Sequence, residues 1–261
     1  MAKKRLIPKL LLSPGSTNPS KQVLVITKQY GVRIEVGNPI STAKIFQAQG
    51  ADELILSNIS PSVIPYSMLR NITNQLSEEI FMPITVGGGI ATVEQFKELL
   101  SDGADKISIN TAAVGNKEFI TRASDLYGAQ CVVLSIDYKK DEKGDLCVYT
   151  NGGTTNTGLH PVEWAIEAEK LGAGEILFTS IDHDGMREGL DHATLNELCR
   201  SVSIPVIASG GCSLPQHFID GYGKSKIEAI AAGTFFAFKD QSFMQIRSAI
   251  KNAGIDIRVY T

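Results

Sequence analysis

Gly50-Ala51-Asp52-Glu53-Leu54-Ile55 returns 122 positions later as Gly172-Ala173-Gly174-Glu175-Ile176-Leu177. In each copy the glycine stands where a helix C-terminal cap belongs, and the acidic residue opens an apolar, strand-forming run. The same offset carries Pro39 onto Pro161, Ala43 onto Ala165, Pro83 onto Pro205, Gly88-Gly89 onto Gly210-Gly211 and Phe96 onto Phe218. One such pair can arise by chance, but a run of them at one spacing reads as an internal repeat with halves of about 1–125 and 126–261.

Working outward from the repeat, the spacing predicts strands over Leu6 to Leu12, Glu53 to Ser57, Ile84 to Gly87, Lys106 to Ile109, Cys131 to Ile136, Glu175 to Thr179, Val206 to Ala208 and Ile227 to Ala231. Helical periodicity fills gaps between them, for instance over Ser41 to Gln49, Thr92 to Leu100, Val162 to Leu171 and Thr194 to Val202. Strands alternating with helices read as βαβ units on a parallel sheet. Two halves of four strands close most simply into a single-domain α/β fold, a (β/α)8 TIM barrel. A doubly wound open sheet would fit the alternation but leave the duplication unexplained.

The length of 261 residues suits one such barrel, which typically takes about 250. A hydrophobic fraction of 43% with 20% charged residues excludes a disordered chain, and a net charge of −3 gives no basic footprint for nucleic acid. Met1-Ala2-Lys3-Lys4-Arg5 looks like the start of a signal peptide, but Pro8 and Lys9 interrupt the apolar stretch behind it. No run approaches the roughly 18 apolar residues of a membrane helix. Cys131, Cys147, Cys199 and Cys212 match neither a zinc-ligand pair nor a disulfide framework. These features lead to an expectation of a cytoplasmic protein with no metal, no cofactor and no membrane partner.

In a barrel of this kind the chemistry sits at the C-terminal ends of the strands. Val86-Gly87-Gly88-Gly89 follows the third strand and Ser209-Gly210-Gly211 the seventh, and such turns present backbone N–H groups that can cradle phosphate. Asn110-Thr111 and its repeat mates Ala232-Gly233 can complete the two cups, and Asp184-Gly185 joins them from the loop after the sixth strand. Two cups across one mouth fit a ligand phosphorylated at both ends; the bland alternative is that small residues only let loops pack. Asp137 ends an apolar fifth strand, with Asp182 and Asp184 as neighbours, and acid/base chemistry commonly uses two groups of separated pKa. Asp182 reads better as a cap. His183 lacks a second ligand at metal spacing and reads as exposed.

At the opposite ends stand Arg5, Glu53, Lys106 and Glu175. They are either solvated charges or an ion-paired ring, and spacing alone does not choose.

These motifs resemble the cyclase subunit of imidazole glycerol phosphate synthase, the HisF family of histidine biosynthesis, over nearly the whole chain. The likeness rests on Arg5-Leu6-Ile7-Pro8, Thr85-Val86-Gly87-Gly88-Gly89-Ile90, the run from Gly103 to Ala113, Asn156-Thr157-Gly158, Ile207-Ala208-Ser209-Gly210-Gly211 and the two copies of the opening repeat. It implies a half-barrel-duplicated lyase that receives ammonia from a HisH-like glutaminase docked at the barrel bottom. At the top, such a subunit cleaves and cyclises a bisphosphorylated substrate. It also implies that Arg5, Glu53, Lys106 and Glu175 gate ammonia and that the phosphate cups are kept, with Gly233 in place of a family serine.

The departures are as specific as the matches. The resemblance makes Asp137 the second of two catalytic aspartates, but Leu11 stands where the first belongs. Ser57-Asn58-Ile59 replaces a family Leu-Asp-Ile, and the loop after the first strand, within Val23 to Tyr30, lacks the family's lysine pattern. Three functions follow from the resemblance. One is an ammonia-transferring synthase subunit diverted to another acceptor, since Leu-for-Asp relatives are associated with amidination of surface-polysaccharide sugars. The second is a true histidine-pathway cyclase in which Asp184 or water compensates. The third is a non-catalytic phosphate-binding scaffold for a glutaminase.

Overall fold

A computed structural model describes residues 3–237 and 242–258; Met1 and Ala2 of the signal-like start lie outside the described residues. The barrel strands are β1 (Arg5–Pro14), β4 (Leu54–Asn58), β5 (Ile84–Gly87), β6 (Lys106–Ile109), β7 (Val132–Lys140), β10 (Glu175–Ser180), β11 (Val206–Ser209) and β12 (Ala229–Ala232). They pair in parallel in that order, and β12 pairs back onto β1, so the sheet closes as a (β/α)8 TIM barrel.

Around it lie α1 (Pro39–Ala48), α2 (Tyr66–Glu79), α3 (Val93–Ser101), α4 (Thr111–Gly115), α5 (Glu118–Tyr127), α6 (Pro161–Lys170), α7 (His192–Ser201), α8 (Pro215–Lys224), α9 (Thr234–Ala237) and α10 (Phe243–Asn252). Local chemistry starts several of them. Asn38 Oδ1 accepts the Ile40 and Ser41 amides ahead of α1, with Pro39 preset for the first turn, and Thr92 with Gln95 forms a reciprocal capping box on α3. The 122-residue offset carries α1 onto α6 and β5 onto β11 residue for residue.

Period-2 alternation divides the strand residues between two cores. Outward residues such as Leu6, Leu54, Leu134 and Ile176 pack with Phe96, Trp164 and Phe218 of the helices. Inward, Ile7, Ile55, Val133, Leu177, Ile207, Ala229 and Ala231 fill the barrel axis. Full burial of each large side chain stabilises the fold by about 1.5–3 kcal/mol.

Two features differ from the sequence expectation. Val23 to Tyr30 is not a loop: β2 (Gln22–Lys28) pairs antiparallel with β1 and with β3 (Val32–Gly37), forming a hairpin over the mouth. The fifth barrel strand does not stop at Ile136 either. β7 runs on past Asp137 because β8 (Leu146–Thr150), itself paired to β9 (Thr155–Asn156), zips onto its end. Thus the first strand of each half carries an antiparallel extension.

Among the described residues no helix is long and apolar enough to cross a membrane, and no group of three or more His, Cys, Asp or Glu is placed to hold a metal. All four cysteines are free thiols.

Candidate active site

At the N-terminal end of the barrel the four charges foreseen from strand starts meet. Arg5 Nη1 reaches Glu53 Oε1 at 2.7 Å and Arg5 Nη2 reaches Glu175 Oε1 at 2.6 Å. Lys106 Nζ closes the circuit to Glu175 Oε2 at 2.7 Å and Glu53 Oε2 at 3.3 Å. Arg5, Glu53 and Glu175 are buried, so the solvated alternative is wrong for them. Burial opposes charge on Arg5 and Glu53, but attraction and hydrogen bonds within the ring outweigh it. Arg5 is therefore held above its usual range, and Glu53 below its own. The ring lies beneath the apolar axis of Ile7, Ile55, Val133 and Leu177.

At the other end Asp137 is the centre of a hydrogen-bond cluster. Tyr30 Oη donates to Oδ1 at 2.9 Å and Asn110 Nδ2 to Oδ2 at 2.9 Å, with the Thr179 hydroxyl, its register partner across β7 and β10, as a third contact. Burial raises the Asp137 pKa; Lys9 and these donors only partly offset it. A half-buried Asp184 accepts from Thr27 Oγ1 at 2.5 Å, and burial raises its pKa too. Tyr30 reaches in from the hairpin tip, where Gln29 and Tyr30 adopt φ of 50° and 59°. Its phenol stays protonated, because burial and both nearby carboxylates push its pKa up.

Leu11 sits on the same inward face of β1 but packs with Val23, Val25 and Ile59, so no carboxylate comes from that strand. Asn58 Oδ1 caps the Ser60 amide and its Nδ2 donates to the Ile64 carbonyl, a turn-building role. Asp182 accepts the Lys140 amide at 2.9 Å, tying two loops together. His183 is half-buried, with Nδ1 on Ser180 Oγ at 2.8 Å.

The structure brings Asp184, Gly185, Gly210, Gly211, Ala232 and Gly233 together around one cavity with Lys9, Leu11 and Ser209. A second cavity of about 190 Å³ adjoins it behind the hairpin, sharing Lys9, Leu11, Ala232 and Gly233. The residues of the other expected cup, Gly88, Gly89, Asn110 and Thr111, line neither of these cavities. Asn110 spends its amide on Asp137 and on the Tyr149 carbonyl, and Thr111 Oγ1 accepts the Asn151 amide, so both side chains brace the mouth. Gly88 and Gly89 need their left-handed φ and small size: a Cβ at Gly88 would stand 2.0 Å from the Asn58 carbonyl oxygen.

Sequence reasoning missed Lys9, Tyr30, Thr27 and Thr179. Lys9 had a signal, because it is two residues before Leu11 and so shares its inward face. Tyr30 had none, since only the hairpin carries it over Asp137.

The histidine biosynthesis protein family matches residues 20–241. A relative from Prochlorococcus marinus (strain MIT 9313), provisionally named an imidazole glycerol phosphate synthase subunit hisF2, is 46% identical over 261 residues, 99% of each chain. The imidazole glycerol phosphate synthase subunit HisF of Staphylococcus saprophyticus is 39% identical over 99% of this chain and 100% of its own. That of Clostridium botulinum (strain Langeland) is 42% identical over 86% of this chain and 89% of its own. On a closed barrel of this architecture and matches that run nearly end to end, the chain belongs to the histidine biosynthesis protein family, among its HisF-type subunits.

Proposed function

We propose that this protein is the synthase subunit of a glutamine-dependent, imidazole glycerol phosphate synthase-like complex. It takes ammonia from a HisH-like glutaminase at the barrel bottom and adds it to an acceptor other than the family's usual substrate. An acetamido sugar destined for a surface polysaccharide is the acceptor that the resemblance implies. The observation that carries this reading is the pairing of a complete four-charge ring with a mouth in which the apolar Leu11, packed with Val23, Val25 and Ile59, lines the cavity.

Chemically, the ring keeps water and ions from the axis while it is paired. A docked partner that displaces one member opens a path lined by alkyl side chains, which neutral ammonia crosses far more readily than ammonium, whose burial is costly. At the exit Asp137, with its raised pKa, is a competent proton acceptor. The phosphate end of the acceptor fits the cup of Ser209–Gly211 and Ala232–Gly233. Without an acid at position 11 the proton inventory of the family's cyclisation is incomplete, and losing one acid or base costs about 10²–10⁴-fold.

The test is turnover of the family's bisphosphorylated substrate with ammonium salts, beside glutamine-dependent ammonia transfer in complex with a glutaminase. The expected result is transfer with cyclase turnover at least about 10²-fold below that of a two-aspartate relative. Turnover within tenfold would instead make the chain a true cyclase with Asp184 as the compensating acid. Absence of both would leave a phosphate-binding scaffold.

A further inference from the structure

β1 sends Ile7, Lys9 and Leu11 into the barrel, and Lys9 is the ionisable member of that row. Its surroundings are unusual for a lysine. Nζ donates to the fully buried Thr179 Oγ1 at 3.2 Å, and among the described residues it has no carboxylate within ion-pair distance. Yet its charge is felt at both Asp137 and Asp184; Thr179 contacts Asp137 as well as Lys9, and Lys9 and Asp184 line one cavity. A half-buried ammonium that rests on a neutral hydroxyl, with no contact carboxylate among the described residues, has N–H donors to spare. That is a good arrangement for meeting a ligand. Lys9 also lies where the two cavities join, beside the cup of Gly210, Gly211 and Gly233, so a group held by its phosphate in that cup passes the Lys9 amine.

We propose that Lys9 is a catalytic residue of the mouth, the cation that polarises and protonates the carbonyl oxygen of a phosphorylated acceptor while Asp137 takes the proton from ammonia. This rests on the ammonia-transfer reading and deepens it by assigning to Lys9 the acid's part that position 11 does not supply. The nitrogen lone pair forms the C–N bond as the carbonyl π pair moves to oxygen. Oxygen gains a proton from Lys9 and nitrogen gives one to Asp137, leaving a carbinolamine. Return of the Asp137 proton to that hydroxyl releases water as C=N forms, and the nitrogen's surplus proton restores Lys9. Ammonia and a carbonyl thus give an imine and water, with both residues regenerated and no redox step.

The test is trapping with pyridoxal 5′-phosphate, which carries an aldehyde and a phosphate on one small frame, followed by borohydride reduction and peptide mapping. Lys9 is expected to label at least tenfold faster than exposed Lys21 and Lys97, and inorganic phosphate should suppress labelling at Lys9 alone. Lys9→Arg should abolish that fast phase while leaving phosphate-dependent thermal stabilisation in place. Labelling of Lys9 no faster than the exposed lysines, or undiminished by phosphate, overturns the proposal, and this wild-type map decides even where the variant fails to fold. The label reports on Lys9 whether or not a glutaminase binds, so its failure is distinct from failure of ammonia transfer.

Discussion

Asp137 holds a proton more tightly in the folded protein than in the unfolded chain, because burial outweighs Lys9 and the donors around it. The sign of the resulting pH dependence follows from linkage: between the unfolded carboxylate pKa of about 3.9 and the raised folded value, stability falls as pH rises, and it stays lowered at neutral pH. Asp137→Asn is therefore expected to melt above the parent at pH 7, with the gain shrinking toward pH 4; thermal denaturation at both pH values checks this. Leu11 carries the complementary argument. Leu11→Asp would place a carboxylate among Val23, Val25 and Ile59, so it is expected to lower stability while recovering only part of the roughly 10²–10⁴-fold deficit in cyclase turnover that the proposed function predicts. Full recovery would mean that Asn58 and the hairpin had not altered the mouth.

At the scale of the elements, the glycine turns after β5 and β11 answer a packing need, and the proposed anion binding is a separate use that calls for a different probe. Gly88 and Gly211 each face a backbone carbonyl oxygen that a Cβ would meet at 2.0 Å, so substitution there reports on folding first. Gly233 is the better probe, since its Cβ would stand 3.1 Å from the Lys9 carbonyl oxygen, a tight but smaller conflict, and it lines the cup. Inorganic phosphate is expected to raise the parent's melting temperature with the logarithm of its concentration above Kd, and Gly233→Asp to remove that shift. A shift that survives would move the anion site elsewhere. The barrel strands were readable because their inward and outward faces are both apolar, giving short β-branched runs between capped helices. The two hairpins were not, since β3 is largely exposed and alternates without a core to face, and β8 draws its pairing partner from an extension of β7. The same blind spot hid Tyr30, while Asp137 was picked out because it closes an apolar run and the four charges because they stand at strand starts, although spacing left their pairing open.

For the whole molecule, the offset that maps α1 onto α6 and β5 onto β11 supports a barrel assembled from two equivalent halves, and the ring shows what such an assembly makes possible. Glu53 and Glu175 are repeat mates, one from each half, and face each other across Arg5 and Lys106. Removing one partner of a buried pair typically costs about 3–5 kcal/mol, less where one member keeps solvent contact, as Lys106 does at 20% side-chain exposure. Glu53→Ala is thus expected to destabilise more than Lys106→Ala. The depressed Glu53 pKa sets the pH window: the ring's contribution is present above the unfolded glutamate pKa and is lost as pH falls through the lower folded value. If the ring is only a brace, both variants lower the melting temperature and leave glutaminase docking and glutamine-dependent transfer intact. If it is a gate, Lys106→Ala opens the axis to water, and ammonia made by the glutaminase escapes to solvent. Glutamine-dependent transfer should then fall relative to transfer from added ammonium salts, at a temperature where the variant is still folded. That ratio, measured in the complex, separates a conduit from a brace, because lost stability lowers both rates together.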